Sequence, residues 1–132
     1  MKTASSTRAV ATVVAFTSAV AFACGHCDED RIAAVYDYAL TQRTVALQHE
    51  IMFFAWDGSV ALSDDSRQKI LALGEAVPGV DKGSTRVSMQ PAALAVAFAP
   101  QSYSAQVVEA ALKQKLASMK LTIVRLPNPV IK

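Results

Sequence analysis

Leu71-Ala72-Leu73-Gly74-Glu75-Ala76-Val77-Pro78-Gly79-Val80 reads as the end of a helix followed by its stop signal. Ile70, Leu73 and Val77 share one helical face, and Pro78-Gly79 cannot prolong the run. Ser63, Asp64 and Asp65 supply capping oxygens upstream, which predicts a helix from there to Val77. Before it, His49 to Trp56 is a mostly apolar run closed by the turn signal Asp57-Gly58, as expected of a largely buried strand. After it, Thr85, Val87 and Met89 alternate with Arg86, Ser88 and Gln90, the pattern of a half-buried strand, and Pro91 breaks it. Leu94 to Phe98 is a short apolar strand. Pro100 to Ser104 opens a second helix with Val108, Leu112, Leu116 and Met119 on its inner face. Leu121 to Leu126 forms a last strand before Pro127 and Pro129.

The order strand, helix, strand, strand, helix, strand predicts an α+β fold. It is that of the ferredoxin-like split βαβ sandwich (βαββαβ), with four antiparallel strands and two helices on one face. An extra N-terminal helix precedes it: Ile32, Val35, Tyr36, Ala39 and Leu40 recur at helical spacing, predicting one helix from Asp28 into the mid-forties. Asp28, Glu29 and Asp30 suit its first turn, where carboxylates cap and meet the positive end of the helix dipole. The chain thus divides into a leader over 1–23, a cysteine motif with its helix over 24–48, and a sandwich over 49–132.

The leader has the form of an export signal. Lys2 and Arg8 flank a short start, Ala9 to Ala23 is apolar apart from Thr12, Thr17 and Ser18, and Ala21-Phe22-Ala23 is a small-x-small cleavage site. Its removal is expected to place the mature chain in the periplasm or outside the cell. A lipid on Cys24, giving a membrane-anchored lipoprotein, is the alternative route, with Phe22 a poor fit to that motif. Either compartment permits disulfides.

Composition excludes several partners. Without Lys2 and Arg8 the 13 basic residues fall to 11, against 11 acidic ones, leaving no electrostatic footprint for nucleic acid. The remaining length suits one small core. No glycine-rich phosphate loop and no serine, histidine and aspartate arrangement points to an enzyme.

The chemistry concentrates in Cys24-Gly25-His26-Cys27, which holds the only two cysteines and one of the two histidines. Thiols two residues apart can turn toward one point. A soft ion such as Cu(I), Hg(II) or Zn(II) favours thiolate sulfur, and a helix N-terminus lowers the cost of forming it. Cys24 and Cys27 are therefore the candidate metal ligands, with His26 adding an imidazole nitrogen. Four-coordinate zinc then needs a further ligand from water, Asp28 or His49. Two other readings stay open. Cys-Gly-His-Cys is also the active-site sequence of protein disulfide isomerase, although no thioredoxin-like context surrounds it here. A local disulfide could simply brace the N-terminus of a non-enzymatic interaction domain, at small entropic gain for so short a ring.

A family resemblance adds to this. Leu71 to Val80, followed by Val87-Ser88-Met89, Val96-Ala97-Phe98-Ala99-Pro100 and Val107-Val108-Glu109-Ala110-Ala111-Leu112, resembles the heavy-metal-associated domain over residues 49 to 126. The resemblance implies binding or passing of copper, mercury or zinc, and partners such as a membrane metal transporter or another metal carrier. It also exposes a departure: the family's ligand cysteines belong in the loop after the first strand, where this chain has Gly58-Ser59-Val60-Ala61-Leu62-Ser63. Function belongs to sites and not to folds, so the displaced Cys24 and Cys27 become the expected replacement. His49, Met52 and Met89 are read as core packing residues, as are Phe53, Phe54 and Trp56.

Overall fold

The structure, a computed structural model, describes residues 24–129, with side chains from Asp28 onward. Its elements in chain order are α1 (Cys24–Val35), α2 (Tyr38–Ala46), β1 (Glu50–Asp57), α3 (Asp64–Glu75), β2 (Arg86–Met89), β3 (Ala92–Phe98), α4 (Ala105–Ala117) and β4 (Thr122–Arg125). The strands form one antiparallel sheet in the order β2-β3-β1-β4. This is the ferredoxin-like arrangement read from the sequence.

Residues alternate across a strand, so β1 and β3 each supply two faces. Met52, Phe54 and Trp56, with Leu94, Val96 and Phe98, meet Ile70 and Val77 from the α3 side and Val108, Leu112 and Leu116 of α4. Ile70, Leu112 and Leu116 are wholly buried, each contributing about 1.5–3 kcal/mol of transfer free energy. Hydroxyls start both helices of this layer. Ser63 accepts from the Ser66 N–H and Ser104 from the Val107 N–H, satisfying donors that a helix start leaves free. Helix α4 therefore begins at Ala105, after the Pro100 to Ser104 stretch expected to open it.

The opposite face is covered as well. Phe53, Ala93 and Ala95 pack with Val35, Leu126 and partly buried Ile32 and Ile51. β3 reads Ala93-Leu94-Ala95-Val96-Ala97-Phe98, so its side chains alternate in size, with the small ones toward α1. Alanines let a helix backbone lie close to the sheet. Helix α1 thus spans β1, β2 and β3 as a third layer.

The single helix expected from Asp28 into the mid-forties is two helices. The break falls at Tyr36-Asp37. Asp37 has extended backbone angles (φ −130°, ψ 114°) and its Oδ1 accepts from the Leu40 N–H at 2.9 Å, so it caps α2. Its Oδ2 accepts from Arg86 Nε at 3.0 Å. These bonds, the Leu40 N–H first, hold its carboxyl below the usual carboxylate range. Periodicity alone runs one helix through Asp37, but its cap begins a second. Asp28, Glu29 and Asp30 are not the first turn expected of them, because the residues from Cys24 to Cys27 before them are already helical.

Two further anchors shape the connection from α3 to β2. Gly79 has φ +94°, and a Cβ there would meet the Tyr103 ring at 2.7 Å, so the turn after Pro78 needs glycine. Glu75 accepts from the backbone N–H groups of Gly83 and Thr85, both at 2.8 Å. Burial pushes its carboxyl up, but these donors, with Thr85 and Arg86, outweigh burial and hold it below the ordinary value.

Candidate functional site

The expected leader, residues 1–23, lies outside the described residues, as do the side chains of Cys24, His26 and Cys27. The backbone of these residues forms the first turn of α1. Positions three apart on a helix belong to one face, so the fold sets Cys24 and Cys27 as neighbours one turn apart. Asp28 follows directly and meets Arg31 Nη1 at 3.6 Å, while Glu29 and Asp30 are exposed.

The loop between β1 and α3 carries no comparable chemistry. Ser59, Ala61, Leu62 and Ser63 are exposed and Val60 leans on the core. Gly58 packs so closely on the residues before β4 that a Cβ would lie 2.4 Å from the Leu121 side chain and 3.0 Å from the Lys120 carbonyl oxygen. Hydroxyl and hydrocarbon groups give a soft cation nothing to bind. Among the described residues no three His, Cys, Asp or Glu side chains come together as a potential metal site.

His49 departs from its expected core role. It precedes β1, is about one-fifth exposed, and its Nδ1 lies 2.6 Å from Asp81 Oδ2. An ionised carboxylate only accepts, so Nδ1 is the donor of this bond. The bond ties the entry of β1 to the segment after the Val80↔Phe98 bridge. It engages the residue that could have completed a zinc site. Met52 is fully buried and Met89 packs against the main core, as expected. Phe53, Phe54 and Trp56 are core residues too, Trp56 Nε1 donating to the Ser88 carbonyl at 3.1 Å.

One feature was absent from the sequence reading. Beside His49 a cleft of about 180 Å³ opens between α2, the first half of β1 and the segment after β4. Tyr36, Val45, Ile51, Phe53 and Pro129 form its apolar walls. Its residues come from three separate parts of the chain, and no local pattern joins them.

The strand order, the antiparallel register and the two-layered core decide the fold. The chain is a ferredoxin-like sandwich with an added helical layer. No protein-family model matches it, and no curated protein matches its sequence. Solved structures similar to it include oxidized MerP from Ralstonia metallidurans CH34, at 15% identity and a TM-score of 0.48, covering 60% of this chain and 99% of that one. A copper binding domain from HMA7, a P-type ATPase, is similar at 14% identity and a TM-score of 0.46, covering 58% of this chain and 93% of the other. The N-terminal domain of the zinc(II) ATPase ziaa gives 18% identity and a TM-score of 0.46, over 63% and 71%. Each covers little more than half of this chain. The fold assignment stands on the topology described above.

Proposed function

We propose that this chain is exported and binds a soft transition metal ion of the copper, mercury or zinc class through Cys24 and Cys27, with His26 as a third ligand. It holds or passes the ion and performs no catalysis. The observation that carries this reading is the spacing of the only two cysteines at neighbouring positions on α1, a helix anchored to the sheet through Ile32 and Val35. Two thiolates are the donor set a soft cation prefers. Asp28, Glu29 and Asp30 oppose ionisation of the free thiols. They offset the charge of a bound cation, so acidity hinders the empty site and supports the loaded one.

The resemblance of residues 49 to 126 to heavy-metal-associated domains supports the same class of cargo. In this reading the dithiol has moved from the β1–α3 loop to an added helix. The partners it suggests are a membrane metal transporter or another metal carrier. X-ray absorption of the Cu(I)-loaded protein tests the ligand set: two sulfur scatterers are expected, and their absence rejects the assignment. Loss of the nitrogen contribution in His26→Ala assigns the imidazole.

A further inference from the structure

The first half of β1 has an open edge. In an antiparallel sheet, both backbone groups of one residue face one neighbour and both groups of the next face the other. On β1 the odd-numbered residues face β4: Ala55 pairs with Val124, Asp57 with Thr122, and the Phe53 carbonyl accepts from the Leu126 N–H at 2.8 Å. The same register places Ile51 opposite Asn128, yet β4 ends at Arg125 and no backbone bond joins Asn128 to Ile51. Pro127 and Pro129 flank Asn128 and have no N–H to donate. Among the described residues no backbone group pairs with the Ile51 N–H and C=O, which face the 180 Å³ cleft.

The cleft can hold a side chain. It exceeds the roughly 150 Å³ cavity that accepts benzene. The Thr41 and Thr44 hydroxyls on its α2 side already donate to the Asp37 and Leu40 carbonyls, and His49 is held by Asp81. These polar groups are fixed in place. Among the described lining residues Glu50 is the only Asp, Glu, Lys or Arg, so that part of the rim suits a cation.

We propose that this cleft binds one residue of an extended peptide, with an apolar side chain inside and a lysine or arginine next to it. The residue's N–H pairs with the Ile51 carbonyl and its C=O with the Ile51 N–H, adding a short strand where β4 leaves off. An N–H and a C=O aligned on one strand residue match the two groups of a single opposing residue, a pattern that a plain hydrocarbon cannot use. The chain's own segment after β4 runs past this edge as far as Pro129 without pairing.

Titration of the full chain with N-acetyl-Ile-Lys-N-methylamide, followed by amide chemical shifts, tests the proposal. Saturable shifts centred on the Ile51 N–H and on residues 41–53 are expected, with Kd on the order of a millimolar for so small a ligand. Methylating the isoleucine nitrogen of the probe should weaken binding about tenfold, the effect of one lost hydrogen bond. Replacing its lysine by glutamate should weaken it too. Val45→Arg, at an exposed rim position that leaves the core intact, should abolish saturation. Equal binding of the methylated probe, shifts elsewhere, or no saturation overturns the proposal. So does binding that appears only after removal of residues 130–132, because the cleft then belongs to the chain's own end.

Discussion

Asp37 and Arg86 lie 49 positions apart and meet at 3.0 Å, joining the break between α1 and α2 to the start of β2. Arg86 is held in turn by the Gly83 and Thr85 carbonyls through Nη1. The added helices are thus fastened at the same corner where Glu75 binds the lead-in to β2. Asp37→Ala removes both the cap of α2 and the ion pair. Faster amide exchange across residues 28–46, with the α3 and α4 amides unchanged, is the expected result. Uniform acceleration would mean that the two helical layers unfold as one.

Glu75 gives a pH dependence with a defined sign. Its folded carboxyl titrates below the ordinary value of 4.5, so the stability it contributes is complete above that value and is lost as pH falls through the lower, folded one. Glu75→Gln should cost roughly 1 kcal/mol at neutral pH, modest because the group is largely solvated. It should also flatten the acid limb of a urea stability profile. An unchanged acid limb contradicts the latch.

Gly79→Ala should destabilise by about 1–3 kcal/mol, since alanine meets both a positive φ and the Tyr103 ring. Tyr103→Ala in the same chain should recover the steric part and leave the backbone part. A double-mutant cycle in chemical denaturation separates the two. Strict additivity would remove the ring from the explanation.

Leu112→Ala opens a void between α4 and the sheet at a position with no exposure, and should cost about 2–5 kcal/mol. The denaturation midpoint should fall while the slope stays constant. A loss below about 1 kcal/mol would mean that the layer collapses around the void.

Much of the sandwich was legible because its signals are local. The hydroxyl cap at Ser63, the stop at Pro78-Gly79 and the strand over Arg86 to Met89 each rest on a few residues, and each reappears in the structure. The third layer was missed because β3 alternates in size and not in polarity. Ala93, Ala95 and Ala97 look like one apolar run with Leu94, Val96 and Phe98, though they serve a different face. Periodicity also carried the first helix past Asp37, whose capping bond competes with helix continuation. His49 looked like a core strand residue until the chain folded Asp81 against it, an encounter across 32 positions that no spacing rule contains. The candidate ligands Cys24, His26 and Cys27 were legible as chemistry alone. Their helical setting follows from the fold, and one measurement tests their ligation.

That measurement is an anaerobic Cu(I) titration of reduced protein beginning at Cys24, against a competing chromophoric chelator and beside the Cys24→Ser, Cys27→Ser double variant. One ion per chain withdrawn from the chelator by the native sequence, with none withdrawn by the equally folded double variant, is the predicted result. Equal withdrawal by both proteins, or none by either, contradicts the dithiol as the metal site.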